Sequence, residues 1–178
     1  VETKNRGLSR IRALRQERGL SLGTLGDRTG LSKSYLSKVE RGHSTPSIAA
    51  ALKISDALGV DASRLFVEDG KQTAVAIDRH QDQPKAVQLR PLGSEMLGKL
   101  MSPFVLRPGM DFAPHESNHS GQELIFVHQG EIEVHYDDDY VVLCAGDSAY
   151  LDATLTHRLR STSDAEAQVV VVTVADRS

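Results

Sequence analysis

Cysteine is all but missing from this chain. Cys144 is the only one in 178 residues, so no intrachain disulfide can form, and a reducing interior is the expected setting. No apolar run reaches the roughly 18 residues that a membrane-crossing helix needs, and no signal-like stretch opens the sequence. A soluble, cytoplasmic protein with no membrane partner is expected. The chain starts at Val1 rather than Met, and further residues are expected ahead of it. Positive charge is scarce in the second part, where residues 67–178 carry nine Lys/Arg against eighteen Asp/Glu; residues 1–66 carry twelve against six. The formal charge of −3 therefore divides into a head of +6 and a body of −9. This division points to two domains, of which only the first meets a polyanion.

The basic head is organised around residues 20–42, LSLGTLGDRTGLSKSYLSKVERG. Leu22 and Leu25, then Leu31, Leu36 and Val39, are spaced to face inward from two short helices. Between them Gly30 supplies a residue that adopts positive φ without penalty, and Ser32 is placed to cap the second helix. That helix then turns Lys33, Ser34, Tyr35, Ser37, Lys38 and Arg41 to solvent, with Glu40 as its one acid. Hydrogen-bond donors and cations along an exposed helix suit the major groove of DNA.

Together with Leu14, Arg18, Gly19, Leu20 and Ser21 ahead of it, the run from Thr29 to Gly42 resembles the Xre family of phage-repressor-type helix-turn-helix domains. The resemblance covers residues 8–66, and Leu22 stands where that family often has Gln. It implies that Ser32, Lys33, Ser34 and Tyr35 meet base edges while Lys38, Arg41, His43 and Ser44 hold the phosphate backbone. One head covers one half-site, so a homodimer on a roughly palindromic double-stranded operator is expected. For His43 a plain loop role is the alternative. Five helices are expected within residues 1–66. The first, over residues 8–18, is amphipathic, and its Arg10, Arg12, Arg15 and Arg18 are read mainly as a solvated face. The fourth is expected to be capped by Thr45, to start at Pro46 and to stop at Gly59, and a closing turn follows over residues 60–66.

Residues 67–85 lose the helical period and read as a linker running into a strand at 74–77. Short strands broken by Gly, Pro and Asp follow, at 87–92, 97–106, 124–127, 132–136, 140–143, 148–151, 157–160 and 168–174, the pattern of an all-β sandwich or barrel. The run of three acids Asp137, Asp138 and Asp139 fits a solvated hairpin turn better than a calcium site.

Two segments refine this. Gly109 with His115, then Glu123 with Gly130, and further on Gly146 with His157, resemble the two motifs of the cupin superfamily, over residues 86–178 in the domain division and 86–175 in the motif span. The resemblance implies a jelly-roll barrel with histidines and a glutamate around one metal. The candidate ligands are His115, His119, Glu123 and His157. Ser117 occupies the usual place of a second histidine, Asp152 and Thr154 replace the usual Pro and Gly, and Ser161 lies near the usual Asn. Imidazoles and a carboxylate suit a divalent zinc, iron or nickel. The alternative is a metal-free barrel that keeps these groups as the polar wall of a cavity. His128 and His135 fall outside the motif spacing. Arg90, Arg107, Tyr150 and Arg158 could face an anionic ligand, but the strand parity assigns none of them.

The fold class expected is thus α plus β, a five-helix DNA-binding bundle followed by an all-β cupin barrel. The function expected is a one-component transcriptional regulator, sequence-specific for DNA, whose barrel senses a small-molecule effector, a metal, or both. Amino acids, polyamines and organic acids are the effector classes the resemblance suggests. The competing expectation is a mononuclear non-haem metal oxygenase or epoxidase whose helical head is scaffold. A third is an interaction module with a filled barrel.

Overall fold

The structure, a computed structural model, describes residues 3–66, 73–79, 87–96, 98–113, 117–163 and 165–174, with the backbone alone for residues 3–9. It divides into two compact units, one of residues 1–83 with 93–99 and one of residues 84–92 with 100–178. Among the described residues no helix is long and apolar enough to cross a membrane.

The first unit contains α1 (Thr3–Glu17), α2 (Leu22–Thr29), α3 (Lys33–Glu40) and α4 (Ile48–Leu58), then a 3-10 turn at Ala62–Leu65. Four α-helices thus replace the five expected. After α4 only four residues wind, with Asp61 Oδ1 accepting from Ser63 N at 2.9 Å and Phe66 N donating to Ser63 O at 3.0 Å. So short a turn carries i to i+3 bonds and never completes an α-helical ladder. The caps explain the other boundaries. Ser21, Ser32 and Ser47 each hold extended backbone, and each Oγ accepts from the amide three residues on, at 3.0, 3.1 and 3.1 Å. The fourth helix therefore starts at Ile48 with Ser47 as its cap, rather than at Pro46 after Thr45. Gly30 (φ 69°) and Gly59 (φ 61°) end α2 and α4 in the left-handed region, as expected.

Ile11, Leu14, Leu25, Leu36, Val39, Ile54, Leu58 and Leu65 form the core of this unit, with Leu22, Leu31 and Phe66 packed at its margin. Arg15 departs from the solvated face expected of the α1 arginines. It is 8 % exposed and Glu40 is 7 % exposed. Its Nε and Nη2 donate to the two carboxylate oxygens of Glu40 at 2.6 and 2.9 Å, and its Nη1 donates to Leu20 O at 2.8 Å. Residues 73–79 form no strand: Val75 and Ile77 are exposed, and Thr73 Oγ1 instead turns the chain locally by donating to Val75 O.

The second unit consists of two antiparallel sheets. The larger runs β1 (Leu89–Pro91), β2 (Ser102–Leu106), β8 (Gln168–Val174), β3 (Gln122–Gln129), β6 (Ser148–Asp152); the smaller runs β5 (Asp139–Cys144), β4 (Glu131–Tyr136), β7 (His157–Ser161). Ile125 and Val127 of β3, Val169 and Val171 of β8, Phe104 of β2 and Ile132 and Val134 of β4 supply the buried core. Among the described residues no strand of one sheet pairs with a strand of the other, so the expected closed barrel is an open pair of sheets. The free edge of β7 is taken by Ser117, which exchanges two backbone hydrogen bonds with His157, of 2.8 and 2.9 Å. The three acids do form the β4–β5 hairpin, with Asp137 in the left-handed region (φ 47°).

Candidate metal centre and nucleic-acid interface

Glu123 points inward from β3 because the strand alternates strictly, Glu123, Ile125 and Val127 buried and Gln122, Leu124 and Phe126 outside. His157 points inward at the start of β7, where Tyr136 is its partner in the ladder. His119 comes from the loop before β3, and backbone bonds fasten that loop in place. Ser117 is bridged to His157, His119 N donates to Ala153 O at 2.9 Å, and Ala153 N donates to Gly121 O at 2.9 Å. Asp152 Oδ1 accepts from Thr154 N and Thr154 Oγ1 at 2.9 and 2.7 Å, turning the chain between Asp152 and His157; these two bonds hold the Asp152 carboxyl below its ordinary range. The residues standing where the cupin pattern has other types thus build the loop geometry instead.

The outcome is one cluster, His119, Glu123 and His157, whose ligand atoms lie within 4.8 Å of one another. His119 Nε2 is 3.1 Å from Glu123 Oε2, and His157 Nε2 is 3.7 Å from Glu123 Oε1; the three side chains are 7 %, 4 % and 5 % exposed. The far nitrogens decide the chemistry. His119 Nδ1 is 3.0 Å from Ser120 O, and His157 Nδ1 is 2.8 Å from Leu155 O. A carbonyl oxygen only accepts, so a neutral ring that keeps its proton on Nδ1 donates it there and presents its Nε2 lone pair to the cluster, the form that metal ligation requires. Two lone pairs and a carboxylate then converge on one buried point. An imidazole anchored by its other N–H on a backbone carbonyl is the usual arrangement of a metal-ligating histidine. Metal bonds of about 2.0–2.2 Å set neighbouring donors roughly 3–3.5 Å apart, against 3.1 and 3.7 Å from the two imidazoles to Glu123 and no more than 4.8 Å across the set. The donor set therefore fits a divalent metal.

His115 lies outside the described residues. His128 is exposed on the outward side of β3, and His135 contacts Glu133 and the Phe112 ring on the outer side of the smaller sheet. By the ladder registers Arg90 and Tyr150 stand on the outer side of the larger sheet and Arg158 on that of the smaller, where its guanidinium covers Phe112 at 4.4 Å. Arg107 follows β2, and its Nη1 donates to Val87 O at 3.1 Å. None of these four belongs to the cluster. Thr173, which sequence reasoning passed over, does adjoin it: it is 2 % exposed and stands opposite Glu123 in the β3–β8 ladder. The signal was a lone hydroxyl in the otherwise all-valine run 169–174.

On the helical unit, Ser32, Lys33, Ser34, Lys38, Arg41 and His43 are exposed along and just beyond α3, while Tyr35 and Ser44 are half-buried. Arg41 Nε folds back to Ser37 O at 3.0 Å. Ser32 Oγ accepts from Tyr35 N as the cap and keeps its own proton to donate. Burial pushes the Tyr35 phenol above its ordinary value, against a hydrogen bond from the Ser47 backbone, so this ring is held by the fold as much as offered to a partner. Glu40, the one acid of α3, is turned inward onto Arg15. The outward face of α3 is thereby left without negative charge.

Comparison with known proteins agrees with this division. The helix-turn-helix family model matches residues 11–65, and the cupin domain model matches residues 104–173. The chain is 28 % identical over 152 residues to the HTH-type transcriptional regulator SutR of Escherichia coli, covering 85 % of this chain and 84 % of SutR. It is 26 % identical over 161 residues to the HTH-type transcriptional regulator PuuR of Escherichia coli, covering 86 % of each. Among solved structures, the HTH_3 family transcriptional regulator from Vibrio cholerae superposes with a TM-score of 0.60 at 23 % identity, over 98 % of this chain and 97 % of that one, a likeness of fold.

Proposed function

For a chain that belongs to the helix-turn-helix transcriptional regulators and carries an Xre-like head with a cupin domain, we propose sequence-specific operator binding governed by a metal, a small-molecule effector, or both, held in the β unit. The convergence of His119 Nε2, His157 Nε2 and the Glu123 carboxylate in a buried interior carries the sensing half of this reading. These three residues would hold a divalent zinc, iron or nickel ion, which supplies the positive charge that three facing acceptors call for. The protein's own part is to keep both imidazoles in one tautomer through Ser120 O and Leu155 O, and to exclude water with the core around Ile125 and Val171.

On the DNA side, Ser32, Lys33, Ser34 and Tyr35 stand at the N-terminal end of α3, the end from which such helices read base edges. Lys38, Arg41, His43 and Ser44 would hold phosphates. A homodimer on two half-sites, in the cytoplasm, is the working form. The 67–85 linker joins the head (residues 1–66) to the cupin domain (residues 86–178), and the metal or effector alters operator affinity by binding one state of the dimer better than the other.

A second reading draws on the same three residues. Two imidazoles and one carboxylate are also the donor type of mononuclear iron oxygenases. The regulator reading stands first because α3 keeps a basic, acid-free outward face, which a mere scaffold has no use for.

The test is elemental analysis of the purified protein beside the His119→Ala/Glu123→Ala double variant, with an electrophoretic shift on its own promoter fragment. Stoichiometric metal that the variant loses, together with altered DNA binding, is the expected result. A normal shift with no metal reduces the β unit to a metal-free effector pocket. Bound iron with no shift, and turnover of an oxygen-reactive substrate in air, puts the enzyme first.

A further inference from the structure

Two glycines of α2 have no conformational reason to be there. Gly23 and Gly26 both lie in the helix outside the left-handed region that favours glycine, where alanine is the better helix former. Their surroundings supply the reason. A Cβ on Gly26 would meet Leu31 O at 2.9 Å and Lys33 Cγ at 3.9 Å, so this position serves the turn into α3. A Cβ on Gly23 would meet Lys33 Cε at 2.9 Å, Lys33 Nζ at 3.0 Å and Ser21 Oγ at 3.4 Å, all of them side-chain atoms. The Lys33 stem thus runs back along α2, from beside Gly26 to above Gly23, in a trough that the two missing side chains leave open. Its ammonium ends over the first turn of α2, although the residue belongs to α3. That placement is unfavourable in the free protein. A helix N-terminus carries partial positive charge and ordinarily attracts acids, yet the first turn of α2 has none, and among the described residues no ion pair holds Lys33. A cation kept at the positive end of a helix is stabilised only when an anion joins it.

We propose that Lys33 holds a DNA phosphate rather than reading a base, and that Gly23 is the residue that sets its reach. The inference rests on the regulator reading and separates Lys33 from Ser32, Ser34 and Tyr35, its neighbours at the start of α3. When a helix-turn-helix docks, its second helix enters the major groove while its first crosses the sugar-phosphate strand. Here those helices are α3 and α2. An ammonium drawn back over α2 therefore stands on the element that meets phosphate, and away from the outward side of α3 that meets base edges. Its chemistry agrees, since lysine binds phosphate as a compact point charge and needs no planar geometry to do so. Base reading then falls to the neutral donors Ser32, Ser34 and Tyr35. Sequence preference at this end of α3 is accordingly carried by groups without charge, and the affinity that salt can remove is carried by a residue that does not discriminate among bases.

The experiment measures binding of the full chain to a labelled fragment of its own promoter, and to the same fragment with single base pairs exchanged, by fluorescence anisotropy over a salt series. Melting curves report folding for each variant. Lys33→Ala is expected to reduce the slope of the logarithm of affinity against the logarithm of salt by about one per half-site, and to weaken binding to every fragment by the same factor. Gly23→Ala keeps the lysine and fills the trough, so it is expected to weaken binding in the same sequence-blind way, with a melting temperature no lower than that of the wild type. Ser34→Ala is the contrast, expected to relax preference at one base pair while the slope is kept. A Lys33→Ala protein that keeps the wild-type slope and loses preference at one base pair makes Lys33 a base reader; this overturns the proposal and leaves the regulator reading standing. Wild-type affinity and slope in a folded Gly23→Ala protein overturn the part given to the trough. A wild type that binds none of the fragments sinks the regulator reading, and this contact with it.

Discussion

At the scale of single residues, the Arg15–Glu40 pair shows how much a buried ion pair constrains. Both groups are nearly dry, and both oxygens of Glu40 are occupied by Arg15. Removing one partner leaves the other charged and buried. Glu40→Ala is therefore expected to cost about 3–5 kcal/mol of stability, read by urea unfolding, while the Arg15→Met/Glu40→Leu double variant loses much less. The pair was not legible in the sequence, because 25 positions separate two residues that each look like surface charge. Tyr35 carries a pH signature. Burial raises its phenol above 10.0, so between the unfolded and folded values the native state binds more protons than the unfolded one. Its contribution is complete below about pH 10 and fades as pH rises through the folded value. Alkaline unfolding of Tyr35→Phe should accordingly lack that part of the slope.

At the scale of elements, the turn between α2 and α3 depends on a close approach. A Cβ on Gly26 would lie 2.9 Å from Leu31 O, a backbone atom that cannot swing aside. Gly26→Ala gains about 1 kcal/mol of helix propensity and meets an overpacking cost of about 1–3 kcal/mol; a net loss of stability is expected, checked by thermal melting. The helix-turn-helix was readable because caps are local: Gly30 and Ser32 act on their immediate neighbours. The inward direction of Glu123 was not, since Leu124, Ile125, Phe126 and Val127 are all apolar and leave the parity of β3 open; only the likeness to the cupin motif singled Glu123 out. The start of α4 was misjudged because Thr45 and Ser47 are both good caps and only the backbone path chooses. Sheet closure was unreadable, because strand sequences do not say which edges meet; here Ser117 occupies the edge of β7. Of the candidate metal set, His119, Glu123 and His157 come together, through a loop that motif spacing located without revealing its bonds.

For the whole molecule, the division of charge decides what salt can do. If phosphates meet only the +6 head, as proposed, the logarithm of operator affinity should fall linearly with the logarithm of salt concentration. Lys38→Ala is expected to reduce that slope by about one per half-site without changing which sequence is preferred, as measured by fluorescence anisotropy over a salt series. The body, at −9, would add nothing to that attraction and would help keep DNA on the head. Finally, Glu123 and Leu124 are neighbours on one strand, the first turned to the cluster and the second to the outer side of the sheet. A displacement of β3 therefore moves both together, like a single key cut on two sides. Should filling the centre tighten the association of two copies by some factor, association must tighten the hold on the metal by the same factor. The concentration of the protein would then set how much metal it takes to be heard.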